Sequence, residues 1–279
     1  MQSNWTLKDE IRDYWSSRAA TFDLSPGHEI FGEDERQAWH RLIERHLGPG
    51  DGRRALDLAS GTGVISRLLC ETGFIVTGLD FAEPMLERAR AKHRALGSNA
   101  SFVIGDAEDT RLPDDSFDAI VTRHLVWTLP DPRAAFADWL RVLKPGGSVL
   151  IVDADMAARS MRQRLMRRAA ALLRARSKAP AATPGVDREL HQRIVERVHF
   201  SGGAQAEAVA GLLREAGFEN VTIDRDHGAI RRAQARHMPL HQRIERASQD
   251  RYAIHASKPC QPAVPATDTV GRKELAAAG

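Results

Sequence analysis

The stretch Ala55-Leu-Asp57-Leu-Ala59-Ser60-Gly61-Thr-Gly63-Val-Ile-Ser66 decides the fold. A short apolar strand, Arg54–Leu58, carries Asp57 near its end and runs into a turn built from small residues. The helix Gly63–Glu71 then opens with Val64, Ile65, Leu68 and Leu69 at helical spacing. Small residues let a ligand lie against the backbone, and a helix N-terminus offers N–H groups that have no intrahelical partner. Taken alone, the stretch is also compatible with a tight turn that binds nothing, or with a dinucleotide-binding turn whose third glycine or alanine would be Ser66.

Outward from this turn, short β-branched runs alternate with helical patterns. Further strands are expected at Phe74–Leu79, Ser101–Ile104, Phe117–Thr122 and Ser148–Val152, with helices at Pro84–Leu96 and Pro132–Leu143 between them. This rhythm predicts an α/β fold with right-handed crossovers and a parallel sheet covered on both faces. Ligands on such sheets bind at the carboxyl ends of the strands, near the switch in strand order. Asp57, Asp80, Asp106 and the pair Arg123-His124 all fall at those ends. Asp80, after the second strand, suits the two hydroxyls of a ribose, and Asp106 can receive an adenine amino group.

Two helical patterns precede the core, one through Ile11, Tyr14, Trp15, Arg18 and Phe22 and one through Ala38, Trp39, Leu42, Ile43 and Leu47. The turn Ser25-Pro-Gly-His28 separates them. After Asp155 the rhythm breaks. Met161, Leu165, Met166, Ala169, Leu172 and Leu173 trace a helix with a basic opposite side, followed by a proline-containing linker, Lys178–Gly185, and a helix at Asp187–His199. The α/β pattern returns with a helix at Gln205–Ala216, a strand at Val221–Asp226, a His/Arg-rich connection and a last strand at Tyr252–Ser257. The organisation expected is a helical lid (1–48), a ligand-binding core (49–155), a helical insertion that caps a substrate (156–203), the rest of the core (204–257) and a disordered tail (258–279).

These segments resemble the successive motifs of class I S-adenosylmethionine (SAM)-dependent methyltransferases, in the type 11 methyltransferase domain group. Asp57–Gly63 resembles the glycine-rich motif, Asp80 the ribose-binding acid, and Phe81-Ala-Glu-Pro-Met85-Leu the stretch that follows it. Gly105–Glu108 resembles the adenine-side motif, and Arg141-Val-Leu-Lys-Pro-Gly-Gly147 the approach to the fifth strand. The resemblance implies a Rossmann-like, doubly wound sheet of seven strands with the last antiparallel, and SAM as cofactor. It implies cofactor contacts from Asp57, Ala59, Ser60, Gly61, Gly63, Asp80, Phe81, Met85, Asp106, Ala107, Glu108 and Arg123, and from Tyr14 and Arg18 in a leading segment that folds over SAM. Ala59 departs from the family's usual glycine; alanine keeps the turn if its φ is negative.

Methyl transfer from a sulfonium needs alignment more than acid–base chemistry, and a base only if the nucleophile carries a proton. His124 is the first candidate base, at the end of the fourth strand, and His28 the second; either residue could instead be structural. Trp127 and Trp15 are candidates to wall the substrate pocket, or to be ordinary core. No metal site is expected, since Cys70 and Cys260 lie far apart, and the same count argues against arsenite methylation by cysteine thiolates.

The chain carries a net charge of +3, yet eight basic residues and no acid lie between Arg159 and Lys178, so the remainder sums to −5. Basicity is local, which argues against nucleic acid as partner. The fourth strand is followed by Thr122-Arg-His-Leu-Val-Trp127, without the Asn/Asp-Pro-Pro-aromatic motif of base-amino methylation. With no signal peptide and no apolar stretch long enough to span a bilayer, the expectation is a cytoplasmic monomer or homodimer acting on a small molecule. A SAM-using enzyme that cyclises SAM or transfers its aminocarboxypropyl group, and a SAM-sensing binding module, remain open alternatives.

Overall fold

Ala55, Leu56 and Leu58 are fully buried, because the strand that carries them is covered on both faces and flanked on both sides. In the computed structural model, which describes residues 6–157, 159–176 and 187–260, this strand is β1 (Arg54–Leu58). It belongs to a seven-stranded sheet with β2 (Ile75–Asp80), β3 (Ser101–Ile104), β4 (Phe117–Arg123), β5 (Leu143–Asp155), β6 (Glu219–Asp224) and β7 (Asp250–Ser257). The order is β3-β2-β1-β4-β5-β7-β6. Strands β1 to β5 pair in parallel, and β7 runs antiparallel to both β5 and β6. The order reverses between β1 and β4, so the carboxyl ends of those two strands flank a crevice.

One face of the sheet is covered by α2 (Glu33–Leu47) and α3 (Val64–Glu71), whose Trp39, Leu42, Ile43, Leu68 and Leu69 pack on Val76, Val121 and Leu150. The other face is covered by α5 (Pro132–Val142) and α8 (Ala206–Glu215), around Phe136, Trp139, Leu213 and Tyr252. Helix α5 starts where Asp131 accepts hydrogen bonds from the N–H groups of Arg133 and Ala134, with Pro132 supplying the pre-set φ of a first turn. Helix α4 (Glu83–Ala95) packs on β2 and β3.

Three helices lie beside the carboxyl ends of the strands. Helix α1 (Leu7–Arg18) begins with a capping box between Thr6 and Asp9 and packs on α7 (Arg188–Arg197) through Ile11, Tyr14, Ile194 and Val198. Helix α6 (Met161–Arg176) leaves its apolar residues largely outside the core: Ala170 is its only buried residue, and Met161, Leu165 and Leu172 stand 56–70% exposed. The His/Arg-rich connection before β7 is also not a simple loop: it contains α9 (Gly228–Ala235) and α10 (Leu240–Ala247). Helix α9 packs on α2 and α10 on α6.

The expected linker at 178–185 lies outside the described residues, and so do residues 261–279 of the expected tail. The tail's first residue is held: the Lys258 ammonium donates to Asp115 (2.6 Å) and to the Leu143 carbonyl (2.7 Å). No described helix is long and apolar enough to cross a membrane.

Candidate functional site

The turn after β1 forms the floor of a cavity of about 190 Å³ above the crevice. Ala59, Gly61 and Gly63 have φ of 54°, 53° and 80°. Ala59 therefore does not meet the condition set for it: its Cβ is carried in the left-handed region, at a cost of roughly 1–2 kcal/mol relative to glycine. Gly63 is required for packing, since a Cβ there would come within 2.9 Å of the His93 ring, whose Nε2 bonds the Gly63 carbonyl at 3.0 Å.

Asp57 is buried beneath this turn and accepts the Ser66 hydroxyl (2.5 Å), so the residue in the third-glycine position orients the motif acid. Burial pushes Asp57 up to about 7, against the opposing effect of the Ser66 bond. At the end of β2, Asp80 accepts the Gly61 N–H (2.8 Å) and the Ala82 N–H (2.9 Å), and burial raises it to about 6. A carboxylate offers about four acceptor positions, so two remain for a ligand.

A slot of about 40 Å³ adjoins the cavity, and Ala59, Asp80, Phe81, Asp106, Ala107 and Glu108 all border it. The Ala107 carbonyl is fixed by the Trp139 indole N–H (2.7 Å), and Asp106 accepts the Glu108 N–H (2.9 Å). Lys8, on α1, closes the slot by pairing with both Asp106 and Glu108 at 2.6 Å. Nothing local marks Lys8 in the sequence as a site residue; its partners lie about a hundred positions away.

Beyond β4 the cavity changes character. His28 and His124 both line it, with ring centroids 6.4 Å apart. His28 stacks on Phe22 at 4.2 Å, and its Nδ1–H donates to the Phe22 carbonyl (3.1 Å), which leaves Nε2 as an acceptor. Burial, then the neighbouring His124 and Arg123, lowers His28 to about 3. Burial and three arginines hold His124 well below the ordinary imidazole range, so both rings are neutral at physiological pH. His124 has φ of 62°, a strained conformation for a non-glycine residue at the end of a strand.

Trp15, Phe22 and Trp127 supply an aromatic side to the cavity, with Trp15 edge-on to Phe22 (6.0 Å) and to Trp127 (6.3 Å). Arg123, Arg246 and Arg251 supply a basic one. Arg246 is lowered to about 10 and Arg251 to about 9, each chiefly by burial and then by a neighbouring arginine; all remain charged at neutral pH.

The cavity thus gathers Asp57, Ala59, Ser60, Gly61, Asp80 and Phe81 on one side. Met85, Arg123, His124, His28, Trp15 and Trp127 complete the set expected to line it. Asp106, Ala107 and Glu108 border the adjoining slot instead, and three expected residues line neither. Tyr14 is buried against His191 (5.4 Å) in the α1–α7 contact, because the face of α1 that carries Ile11 also carries Tyr14. Arg18 is buried at the end of α1, where its guanidinium reaches the Thr21 hydroxyl (3.4 Å). Gly63 faces His93 instead. Arg246, Gln249 and Arg251 line the cavity without having been expected there.

A family model described as a methyltransferase domain matches residues 56–151. The ubiquinone/menaquinone biosynthesis C-methyltransferase UbiE of Yersinia pestis is 30% identical over 237 residues, covering 79% of this chain and 87% of that protein. The chain belongs to the class I SAM-dependent methyltransferases. Its cofactor is SAM. A demethylmenaquinone methyltransferase of Clavibacter sepedonicus is 40% identical over 117 residues, where the match spans 47% of the relative's length; for one of Renibacterium salmoninarum it spans 59% at 30% identity. The chain thus aligns with only about half the length of these two relatives. Among solved structures, the fold resembles a Haemonchus contortus phosphoethanolamine N-methyltransferase 2 (TM-score 0.63, 15% identity, 91% of this chain and 60% of that chain). It also resembles the [4+2]-cyclase SpnF (TM-score 0.58, 18% identity, 90% and 95%). At these identities the likeness is one of fold.

Proposed function

We propose that this protein transfers the SAM methyl group to a small hydroxylated aromatic acceptor held beside Trp15, Phe22 and Trp127. The observation that carries this reading is the division of one cavity into an acidic side over β1–β2 and a side over β4 with two neutral histidines among arginines. The names of the relatives, a demethylmenaquinone methyltransferase and a ubiquinone/menaquinone biosynthesis C-methyltransferase, agree with an aromatic acceptor.

In this reading the two remaining acceptor positions of Asp80 take the ribose hydroxyls, and the slot beside Asp106, Ala107 and Glu108 takes the adenine. The Ala59–Gly61 backbone and Asp57 meet the methionine end. Helix α1 is the lid, pinned over the slot by Lys8, and α7, whose His191 meets Trp127, caps the acceptor side. When bound, SAM supplies a methyl group already activated on a sulfonium: the acceptor–carbon bond forms as the sulfur–carbon bond breaks, leaving S-adenosylhomocysteine. The chain's own work is alignment, exclusion of water and removal of one proton. Arg123, Arg246 and Arg251 stabilise an acceptor that becomes anionic, and neutral His124 receives its proton. A positioned base typically contributes about 10²–10⁴-fold.

The test is incubation of purified protein with SAM and a panel of dihydroxy- and hydroxyaromatic compounds. Equal amounts of S-adenosylhomocysteine and methylated product are expected. Methylthioadenosine as the main product would overturn methyl transfer. His124→Ala should lower kcat about 100-fold with unchanged affinity for S-adenosylhomocysteine; full turnover at neutral pH would remove His124 from this role.

A further inference from the structure

Three arginines reach one cavity from three parts of the chain: Arg123 at the end of β4, Arg246 in the last turn of α10 and Arg251 near the start of β7. Among the described residues, their hydrogen bonds all go to neutral groups. Arg123 donates to the His28 carbonyl (2.8 Å), and its Nη1 is buried with no partner. Arg246 donates to the Pro26 carbonyl (2.6 Å) and the Gln234 side chain (2.8 Å), and Arg251 only to the Gln249 side chain, at 3.3 Å. Surface arginines behave differently: Arg36, Arg141 and Arg225 each pair with two acids.

Asp57, which lines the cavity, accepts the Ser66 hydroxyl (2.5 Å), and among the described residues no acid hydrogen-bonds any of the three guanidinium groups. Asp153 accepts the N–H groups of Val126 (3.0 Å) and Ala154 (2.8 Å), and Glu35 accepts the Gln234 amide (2.8 Å); neither lines the cavity. Half-buried guanidinium groups that no carboxylate hydrogen-bonds keep donors for an anion entering the cavity. The methionine carboxylate is too distant a source for Arg251. Its strand lies four places from β2, where the ribose acid Asp80 sits, and three from β1, or roughly 19 Å and 14 Å at ~4.8 Å per strand.

We infer that the acceptor bears a carboxylate or phosphate group, and that Arg251 and Arg246, beside Arg123, form the subsite that binds it. This rests on the methyl-transfer reading above and names the acceptor's charge. The planar fork of arginine matches two oxygens of either oxyacid, and the aromatic side chains opposite hold the ring that carries it.

Calorimetric titration of the protein saturated with S-adenosylhomocysteine tests the subsite, with benzoate, phenyl phosphate and neutral benzyl alcohol as probes. At least one anion should bind ten times more tightly than the alcohol. The tighter of the two anions identifies the oxyacid. Arg251→Gln should weaken anion binding at least tenfold and leave affinity for S-adenosylhomocysteine within twofold, while Arg251→Lys keeps part of the anion affinity and controls for folding. The inference is overturned if the alcohol binds as well as the anions, or if Arg251→Gln leaves anion affinity unchanged. It is also overturned if S-adenosylhomocysteine affinity falls in parallel, which would place Arg251 in the methionine site. Failure of the unaltered protein to bind S-adenosylhomocysteine would instead overturn the proposed function itself.

Discussion

Asp80 and Arg251 face the same cavity from strands four places apart, and they reach it by different routes. Asp80 ends a strand whose partner turn is only 19 residues away, so its bond to Gly61 follows from one βαβ unit. Arg251 reaches the cavity through an antiparallel strand and two helices that close the far side of the sheet, and its neighbour Arg246 bonds Pro26 across 220 residues. One half of the site is local and acidic. The other is assembled late and is basic. The comparison teaches that the half proposed for the cofactor is set by short-range geometry, while the half proposed for the acceptor depends on how distant segments pack.

The largest effect expected from disturbing the acidic half is at Asp80. Asp80→Ala removes the acceptor for the ribose and also leaves the Gly61 and Ala82 N–H groups unpaired. Affinity for S-adenosylhomocysteine should fall on the order of 100-fold by calorimetry, from a loss of about 2–3 kcal/mol. Less than a threefold loss would break the assignment.

The basic half makes its own mark on stability. His28 has a folded pKa of about 3 against an ordinary value of 6.5, so between those values the unfolded chain binds a proton that the native protein does not. Its contribution is present above pH 6.5 and is lost as pH falls toward 3. Asp57 and Asp153, each raised to about 7, act in the opposite sense: between about pH 4 and 7 the native state holds more protons, and their contribution declines as pH rises. Urea unfolding at pH 7 and pH 5 should therefore show that His28→Gln loses less stability on acidification than the unaltered protein, the carboxyl effects cancelling in the difference. An identical acid loss in both would contradict a His28 that is neutral in the folded protein.

A smaller effect is expected at Lys8. The pair it makes with Asp106 and Glu108 is 40% exposed on the lysine side, so Lys8→Ala should weaken cofactor affinity only about three- to fivefold, through faster dissociation. Stopped-flow release of S-adenosylhomocysteine measures it, and an unchanged release rate would remove α1 from its role as lid. Smallest is Ala59→Gly, which relieves the φ of 54°; offset by glycine's larger loss of backbone freedom on folding, the net gain in stability should be at most about 1 kcal/mol, without weakening cofactor binding.

The same contrast explains what could be read from the residues alone. The strands and the acids Asp57, Asp80 and Asp106 were legible because each motif sits at the end of a run of alternating or continuous apolar residues. Arg246 and Arg251 were not, since arginine in a polar connection looks like any solvated residue until α9 and α10 fold it against the sheet. Tyr14 was misplaced for the converse reason: periodicity showed which face of α1 is apolar, but not that α7 would cover it. The φ of Ala59 could not be read from its small side chain, which permits either sign.

A crystal structure with S-adenosylhomocysteine tests the division of the cavity most directly. The account predicts ribose hydroxyls on Asp80, adenine in the slot beside Asp106 and Ala107, and a ligand carboxylate over the Ala59–Gly61 turn, clear of Arg251. A ligand carboxylate bound by Arg246 and Arg251 would contradict it, because the basic half would then belong to the cofactor and no longer to the acceptor.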